Sequence, residues 1–168
     1  LAQKDIMRML AYSSIAMMGY LFIGVAAGNE IGIAAAVFHA FSHAIAKTAA
    51  FILIWAMSYK LTKRITYDDL AGLSKRAPVA SAMFTVLILS LAGIPPTIGF
   101  YSKWILLFQS AVVANMWWLA LIGVLNTVFS LGYYLRILKY VYMENAKDDS
   151  KLTLPLVPMI SVGICVLA

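Results

Sequence analysis

From Ile31 to Tyr59 the chain runs without one acidic residue and with a single lysine, Lys47. About 20 mainly apolar residues are enough to cross a bilayer as a helix, so this one stretch already restricts the chain to a membrane fold. Comparable runs lie from Leu10 to Ala27 and from Met116 to Tyr142, and two shorter helices are expected at Pro78 to Ala92 and Thr97 to Ala114. A last run, Ile160 to Ala168, is too short to cross. The composition agrees: 63% hydrophobic and 12% charged is far from the balance of soluble domains, about half apolar and a quarter charged. A soluble helical protein would need polar helix faces that these runs lack. The expected fold is an all-α membrane protein, a single transmembrane domain over residues 1–168. It is a bundle of about five transmembrane helices plus a truncated sixth, with a Pro-interrupted helix region. The start at Leu1 without a methionine, and the stop inside the last run, suggest a fragment of a longer chain.

The net charge of +6 does not point to nucleic acid, because the basic residues sit beside the apolar runs. Lys4 and Arg8 precede the first, Lys60, Lys63, Arg64, Lys75 and Arg76 fill the loop from Lys60 to Ala77, and Arg136, Lys139, Lys147 and Lys151 surround the loop from Met143 to Leu154. They read as interfacial anchors, as do the aromatic rings of Trp55, Tyr59, Trp117, Trp118, Tyr140 and Tyr142 at span ends. Counted over five spans, the first two groups fall on one side of the membrane and the third on the other. Gly24, Gly28 and Gly32 recur every four residues and predict a close helix contact. Cys165 is the single cysteine, so the chain alone builds neither a disulfide nor a thiolate metal cluster.

Two lysines lie inside apolar stretches that hold no carboxylate to pair with them. A charged amine at bilayer depth costs about 2.5 to 3.5 kcal/mol on insertion scales, and such residues mark ion pathways. Lys103 follows Ser90-Leu91-Ala92-Gly93-Ile94-Pro95-Pro96-Thr97-Ile98-Gly99. Proline removes an amide donor and breaks the helix, and in lipid the freed carbonyls must find protein or water. Gly93, Pro95, Pro96 and Gly99 therefore predict a helix break with a protein-lined or wet interior. Interrupted helices place ion sites at such ends; a Lys103 nearer the surface would instead snorkel to the headgroups.

Lys47 belongs to a ladder with His39 and His43. A spacing of four residues keeps the three on one slowly drifting helical face, about 12 Å from first to last. An imidazole takes a proton on one nitrogen and releases it from the other, and a lysine stripped of water can give up its proton. With Ser42 and intervening water, the ladder can pass a proton part of the way across a membrane. Structural alternatives exist for each histidine, which can simply hydrogen-bond a neighbouring helix. A zinc site of the metalloprotease kind needs a glutamate after the first histidine, where Ala40 stands. No metal site is expected. All the acidic residues, Asp5, Glu30, Asp68, Asp69, Glu144, Asp148 and Asp149, lie in loops or at span margins. A carboxylate for either lysine must come from elsewhere in the protein or from another subunit. No phosphate-binding glycine loop, nucleophile elbow or dinucleotide fingerprint is present.

Three ordered motifs, Lys4-Asp5-Ile6-Met7-Arg8-Met9-Leu10-Ala11-Tyr12-Ser13-Ser14-Ile15, the His39/His43/Lys47 ladder and Ser90 through Lys103, together resemble the antiporter-like proton-translocating subunits of respiratory complex I and its relatives. Leu70-Ala71-Gly72-Leu73-Ser74-Lys75-Arg76-Ala77-Pro78, Ser-Leu-Ala-Gly-Ile-Pro-Pro and Gly132-Tyr133-Tyr134-Leu135-Arg136 look most like the C-terminal half of subunit N of NADH:quinone oxidoreductase. The paired histidines depart from that pattern and are more typical of subunit L and of sodium/proton antiporters.

The resemblance implies two inverted five-helix repeats, of which residues 1–142 are similar to the second and residues 154–168 to the start of the following helix. It implies that Lys103 is the terminal proton site of a half-channel, Lys47 a connecting site, and His39, His43 and Ser42 the relay. It further implies partners: other membrane subunits of a complex I-like assembly, the lipid bilayer and the chain's own missing N-terminal repeat. NAD, FMN, iron-sulfur clusters and quinone would reside in partner subunits, with no cofactor in this chain. The expected location is an energy-coupling membrane, most simply the prokaryotic plasma membrane, with the first charged side facing outward. A multi-subunit Na⁺/H⁺ antiporter, a membrane-bound hydrogenase subunit and a structural scaffold are the alternatives.

Overall fold

The computed structural model describes residues 3–146 and 150–167. The described residues are almost wholly helical, and the expected apolar helices are all present. Lys147, Asp148 and Asp149, expected in the second charged loop, lie outside the described residues, as does Ala168.

Helices α1 (Ile6–Ala27) and α2 (Glu30–Leu61) form an antiparallel hairpin whose ends are set by local chemistry. The Asp5 carboxylate accepts from the Arg8 amide at 3.1 Å and caps α1, and the Asn29 side chain accepts from the Gly32 amide at 2.7 Å and caps α2, so each satisfies an orphan donor of a helix start. Gly28, at φ +64°, turns the chain between them. The three glycines thus divide their roles. Gly24 and Gly32 face each other across the hairpin, where a Cβ on either would meet the other's carbonyl oxygen, while Gly28 serves the turn.

The expected loop from Lys60 to Ala77 contains two single-turn helices, α3 (Tyr67–Leu70) and α4 (Leu73–Arg76). Thr66 and Asp69 form a reciprocal cap, Thr66 donating to Asp69 from its amide at 3.0 Å and from its hydroxyl at 2.9 Å, with Lys63 Nζ 2.6 Å from the same carboxylate. Partial burial works to raise the Asp69 pKa, but the bonds from Lys63 and Thr66 and the Lys63 charge outweigh it and hold the carboxyl below its usual range. A depressed carboxyl stabilises the fold above its unfolded pKa and loses that contribution as pH falls through the folded value. Asp69→Ala should therefore speed backbone amide exchange over residues 63–70 at neutral pH, and the difference from wild type should shrink in acid.

Helix α5 (Pro78–Ala92) begins on a proline, whose missing amide is harmless at a helix start. After the break, α6 (Ile98–Phe100) runs without interruption into a π-helical segment, Tyr101–Leu107, and then α7 (Phe108–Val113). Helices α8 (Trp117–Met143) and α9 (Leu156–Leu167) follow. By length and composition α1, α2 and α8 can each cross a membrane, and α5, the α6 to α7 stretch and α9 are shorter apolar helices. The core holds Leu53, Ile54, Phe84, Ile88, Tyr134 and Ile137, all fully buried, while Phe22, Phe41 and Phe129 are each at least 65% exposed. Such rings face lipid in a membrane protein.

The two halves of the broken helix share one crossing. Gly99 packs against Ser90 of α5, and the chain then advances until the Ser110 carbonyl accepts from Asn29 at 3.1 Å, at the end where α1 turns into α2. Helix α8 starts at that end and returns to the other, where Gly72 donates to the Tyr140 carbonyl at 3.2 Å and Leu152 to the Arg76 carbonyl at 3.0 Å. The guanidinium of Arg136 lies over the Tyr67 ring at 4.5 Å. These contacts correct the division of charges between two sides: Lys4, Arg8, the Lys60 to Arg76 group, Arg136, Lys139 and Lys151 all gather at one end. The sequence count failed because it gave each half-helix a crossing of its own.

Candidate functional site

Gly93, which ends α5, and Pro95 together leave the Leu91 carbonyl without an amide partner. An α-helical carbonyl accepts from the amide four residues on, and four residues after Leu91 stands a proline with no N–H. The Leu91 carbonyl is thereby released, and the ammonium of Lys103 donates to it at 2.7 Å. Lys103 is 1% exposed. Its amine also lies 5.0 Å from the centroid of the Tyr20 ring, a cation–π contact that in a desolvated setting contributes about 2 kcal/mol. Lys103 is thus held inside the bundle between the broken end of α5 and a ring of α1, which excludes the snorkelling alternative.

Two glycines make room for this. Gly93, at φ +80°, closes α5 and lies so near that a Cβ would sit 3.2 Å from Lys103 Cδ. At Gly99 a Cβ would collide with the Ser90 carbonyl oxygen. The π segment was not foreseen in the sequence. Phe108 donates its amide to the Lys103 carbonyl five residues back, and such widened turns often occur at functional sites. Ser102 and Lys103 are consecutive and both buried, yet they serve different neighbours, Ser102 meeting α2 and Lys103 meeting α5.

His39 Nδ1 and Ser102 Oγ are 2.9 Å apart. With the Ser102 hydroxyl donating to the Gly99 carbonyl, 3.0 Å away, a neutral His39 carries its hydrogen on Nδ1 and donates it to Ser102; with the hydroxyl turned to His39, the roles reverse. Its Nε2 is buried and meets no partner, and in the first of these tautomers it keeps an open lone pair. The His39 and His43 rings stack with centroids 6.1 Å apart. His39 also meets the Tyr20 ring edge-on at 6.0 Å.

Lys47, 5% exposed, reaches away from the histidines to α1, donating to the Leu10 carbonyl at 3.0 Å and to Ser13 Oγ at 2.5 Å. Among the described residues, the hydrogen bonds of both lysines therefore go to carbonyls and a hydroxyl, with no carboxylate. Ser42 donates to the His39 carbonyl on its own helix at 3.1 Å. The five expected proton-transfer residues are all buried, and four of them, His39, Ser42, His43 and Lys103, line a cavity of about 10 Å³ together with Ser90, Leu91 and Gly99, while Lys47 lies outside it. That volume is near the threshold for one water. Ser42, Ala46 and Ser90 also line a larger groove of about 450 Å³ between α2, α5 and α9.

The sequence reading missed Tyr20, Ser13 and the α8 side of the site. Tyr20 donates to Thr127 Oγ1 at 2.9 Å, the Thr127 proton being engaged by the Gly123 carbonyl at 3.0 Å, and accepts from Asn126 at 3.2 Å. A tyrosine or serine within an apolar run is an ordinary residue for a membrane helix, and only the approach of the lysines gives these two a role.

Residues 1–130 match the sequence profile of the family described as "NADH:quinone oxidoreductase/Mrp antiporter, TM". Subunit N of the NADH-quinone oxidoreductase of Acidithiobacillus ferrooxidans is 38% identical over 90% of this chain and 31% of its own length. The corresponding subunit of Xanthomonas euvesicatoria pv. vesicatoria is 43% identical over 86% of this chain and 29% of its own. Subunit N of the F(420)H(2) dehydrogenase of Methanosarcina mazei is 39% identical over 92% of this chain and 33% of its own. Among solved structures, the Mrp complex from Dietzia sp. DQ12-45-1b superposes with a TM-score of 0.81 at 29% identity, covering 92% of this chain and 28% of that one. Respiratory complex I from Thermus thermophilus, with bound aureothin, gives 0.75 at 27% identity, covering 99% of this chain and 37% of that one. The chain spans about a third of the length of the curated relatives it matches.

Proposed function

The chain belongs to the NADH:quinone oxidoreductase/Mrp antiporter transmembrane family, and from that premise we propose that it carries protons through a lysine and histidine half-channel, as the second repeat and following helix start of a subunit N. The observation that carries this reading is Lys103 itself: a buried amine whose partner is a carbonyl left open where α5 breaks off at Gly93 and Pro95. A fixed structural charge in a membrane needs an opposite charge, whereas a site that loads and unloads a proton needs neutral acceptors that tolerate both states. An approaching carboxylate favours the charged form and an approaching cation disfavours it, so charge movements elsewhere in the assembly load and discharge Lys103 in turn. His39, His43 and the small cavity they share with Lys103 provide the inner route, with Lys47 one turn beyond His43 on α2, and the groove sharing Ser42 and Ser90 lies beside it.

In this reading the driving energy comes from partner membrane and redox subunits, in which NAD, FMN, iron-sulfur clusters and quinone would reside, and the chain's own N-terminal repeat supplies the carboxylate. The gathering of basic residues at one end puts that end in the cytoplasm by the positive-inside rule, the reverse of the orientation implied by the resemblance, and the membrane is a prokaryotic plasma membrane. A second reading, an Mrp-type Na⁺/H⁺ antiporter subunit, is favoured by the paired histidines and by the TM-score of 0.81 to the Mrp complex.

The test is ion pumping per electron in vesicles carrying the whole host complex, with assembly checked on a native gel. Lys103→Ala should abolish the contribution of this subunit while the complex still assembles. Unchanged pumping would return the chain to a structural scaffold. Sodium-dependent transport without any redox drive would favour the antiporter.

A further inference from the structure

At the end where the basic residues gather, a cavity of about 380 Å³ opens between α4, the start of α5 and the segment that leads into α9. Lys75 and Arg76 close α4, and Lys151 faces them from the incoming segment. Both lysines are exposed and Arg76 is half-buried, so the charges rim the mouth, whereas Ala77, Ala80 and Leu152 are buried beneath them. The rim is fixed by backbone: the Arg76 carbonyl accepts from the Leu152 amide at 3.0 Å, and Arg76 Nε donates to the Ser150 carbonyl at 3.3 Å. With Nε engaged, the terminal amino groups of the guanidinium face a ligand in the planar fork that suits phosphate oxygens. Among the described residues no carboxylate lines the cavity, while Lys63 and Lys139 at the same end are paired with Asp69 and Glu144.

We propose that this cavity binds an anionic phospholipid, with the phosphodiester on Arg76 and the two lysines and the acyl chains along the outward faces of α5 and α9. Basic pockets between helices at the membrane boundary hold such head groups. The apolar surface that continues from the mouth selects a lipid over a free anion. Val79 and Val86 of α5, and Leu156, Ile160 and Ile164 of α9, are exposed at spacings that keep each set on one helical face. Both helices start at this end and pack together, since a Cβ at Gly163 would lie 3.4 Å from Met83 Cε, so the two stripes descend side by side. A free phosphate would meet the cations and gain nothing from the stripes. A zwitterionic lipid would cover the stripes but set a cation of its own against the three. A lipid with a net negative head group uses both, and it reinforces the two bonds of Arg76 that join the start of α5 to the segment before α9.

The test uses the complete host complex, stripped of loosely held lipid in detergent and given phosphatidylglycerol with a photoactivatable group at the head-group end of an acyl chain. Crosslinked peptides are identified by mass spectrometry. Labelling should fall on residues 77–86 and 152–160 of this chain, should be displaced by unlabelled phosphatidylglycerol, and should resist both inorganic phosphate and phosphatidylcholine with the same acyl chains. Arg76→Gln and Lys151→Gln should each weaken it about fivefold, the worth of one basic residue at an anionic surface. Lys4→Gln, which removes a charge from the same end outside the cavity, should leave it unchanged. Variants are compared on equal amounts of assembled complex, and the competition in unaltered complex needs no variant at all. Displacement by phosphate would make this a site for a free anion, equal displacement by phosphatidylcholine would deny the cations any part in selection, and an equal loss in Lys4→Gln would reduce the effect to the general charge of this end. Each of these overturns the proposal, as does an intact complex without labelling here, in which a partner subunit covers the cavity.

Discussion

Gly99→Ala should sharply reduce the amount of assembled protein, although it adds only one methyl group. The Cβ would be driven into the Ser90 carbonyl oxygen, a backbone atom of α5 that cannot move aside as a flexible side chain can. Relief requires α6 to withdraw from α5, and that shift pulls Ser102 from His39 and Lys103 from Leu91 together. Overpacking costs about 1 to 3 kcal/mol where the neighbours yield, so contact with rigid backbone belongs at the upper end of that range or beyond it. The measurement is the level of host complex on a native gel, with its thermal inactivation temperature. Gly132→Ala is the matched control: nothing lies within 4 Å of a Cβ there, and alanine gains about 1 kcal/mol over glycine within a helix, so its level should equal or exceed wild type. Similar levels for both variants would refute the close approach of α6 to α5.

The contrast between these two glycines shows where sequence reasoning succeeds and where it stops. Pro95 and Pro96 announce a break because a missing amide is a covalent fact, and a lysine beside a break points to the released carbonyl even before its partner at Leu91 is seen. The apolar runs place the helices within a few residues, with Asp5 extending α1 beyond its expected start at Leu10. What sequence cannot show is how half-helices add up to crossings, since α5 and α6 to α7 look like two spans until Gly99 is seen beside Ser90. The π segment is equally hidden, because the bond from Phe108 to Lys103 depends on packing rather than residue type. Lys47 illustrates the same limit. Helical spacing puts it in line with His39 and His43, but its ammonium turns to Ser13 and Leu10 on another helix, a choice made by the hairpin geometry around Gly24 and Gly32.

Replacing Lys103 with arginine separates a fixed charge from a proton carrier. A guanidinium stays protonated under all ordinary conditions, so Lys103→Arg retains the cation near Tyr20 and the capacity to donate to Leu91 while removing the ability to discharge. Pumping through this half-channel should fall at least as far as in Lys103→Met, whose unbranched side chain is one heavy atom shorter and carries no charge. If Lys103 were only an electrostatic landmark, arginine would preserve function and methionine would abolish it. The arginine fork is also larger, and Gly93 leaves little space beside the lysine stem, so both variants are compared on equal amounts of assembled complex. Methionine sets the baseline for loss of charge at nearly constant volume. Pumping per electron in sealed vesicles gives the answer: two inactive variants in an intact complex identify proton exchange at Lys103, and an active arginine variant overturns it.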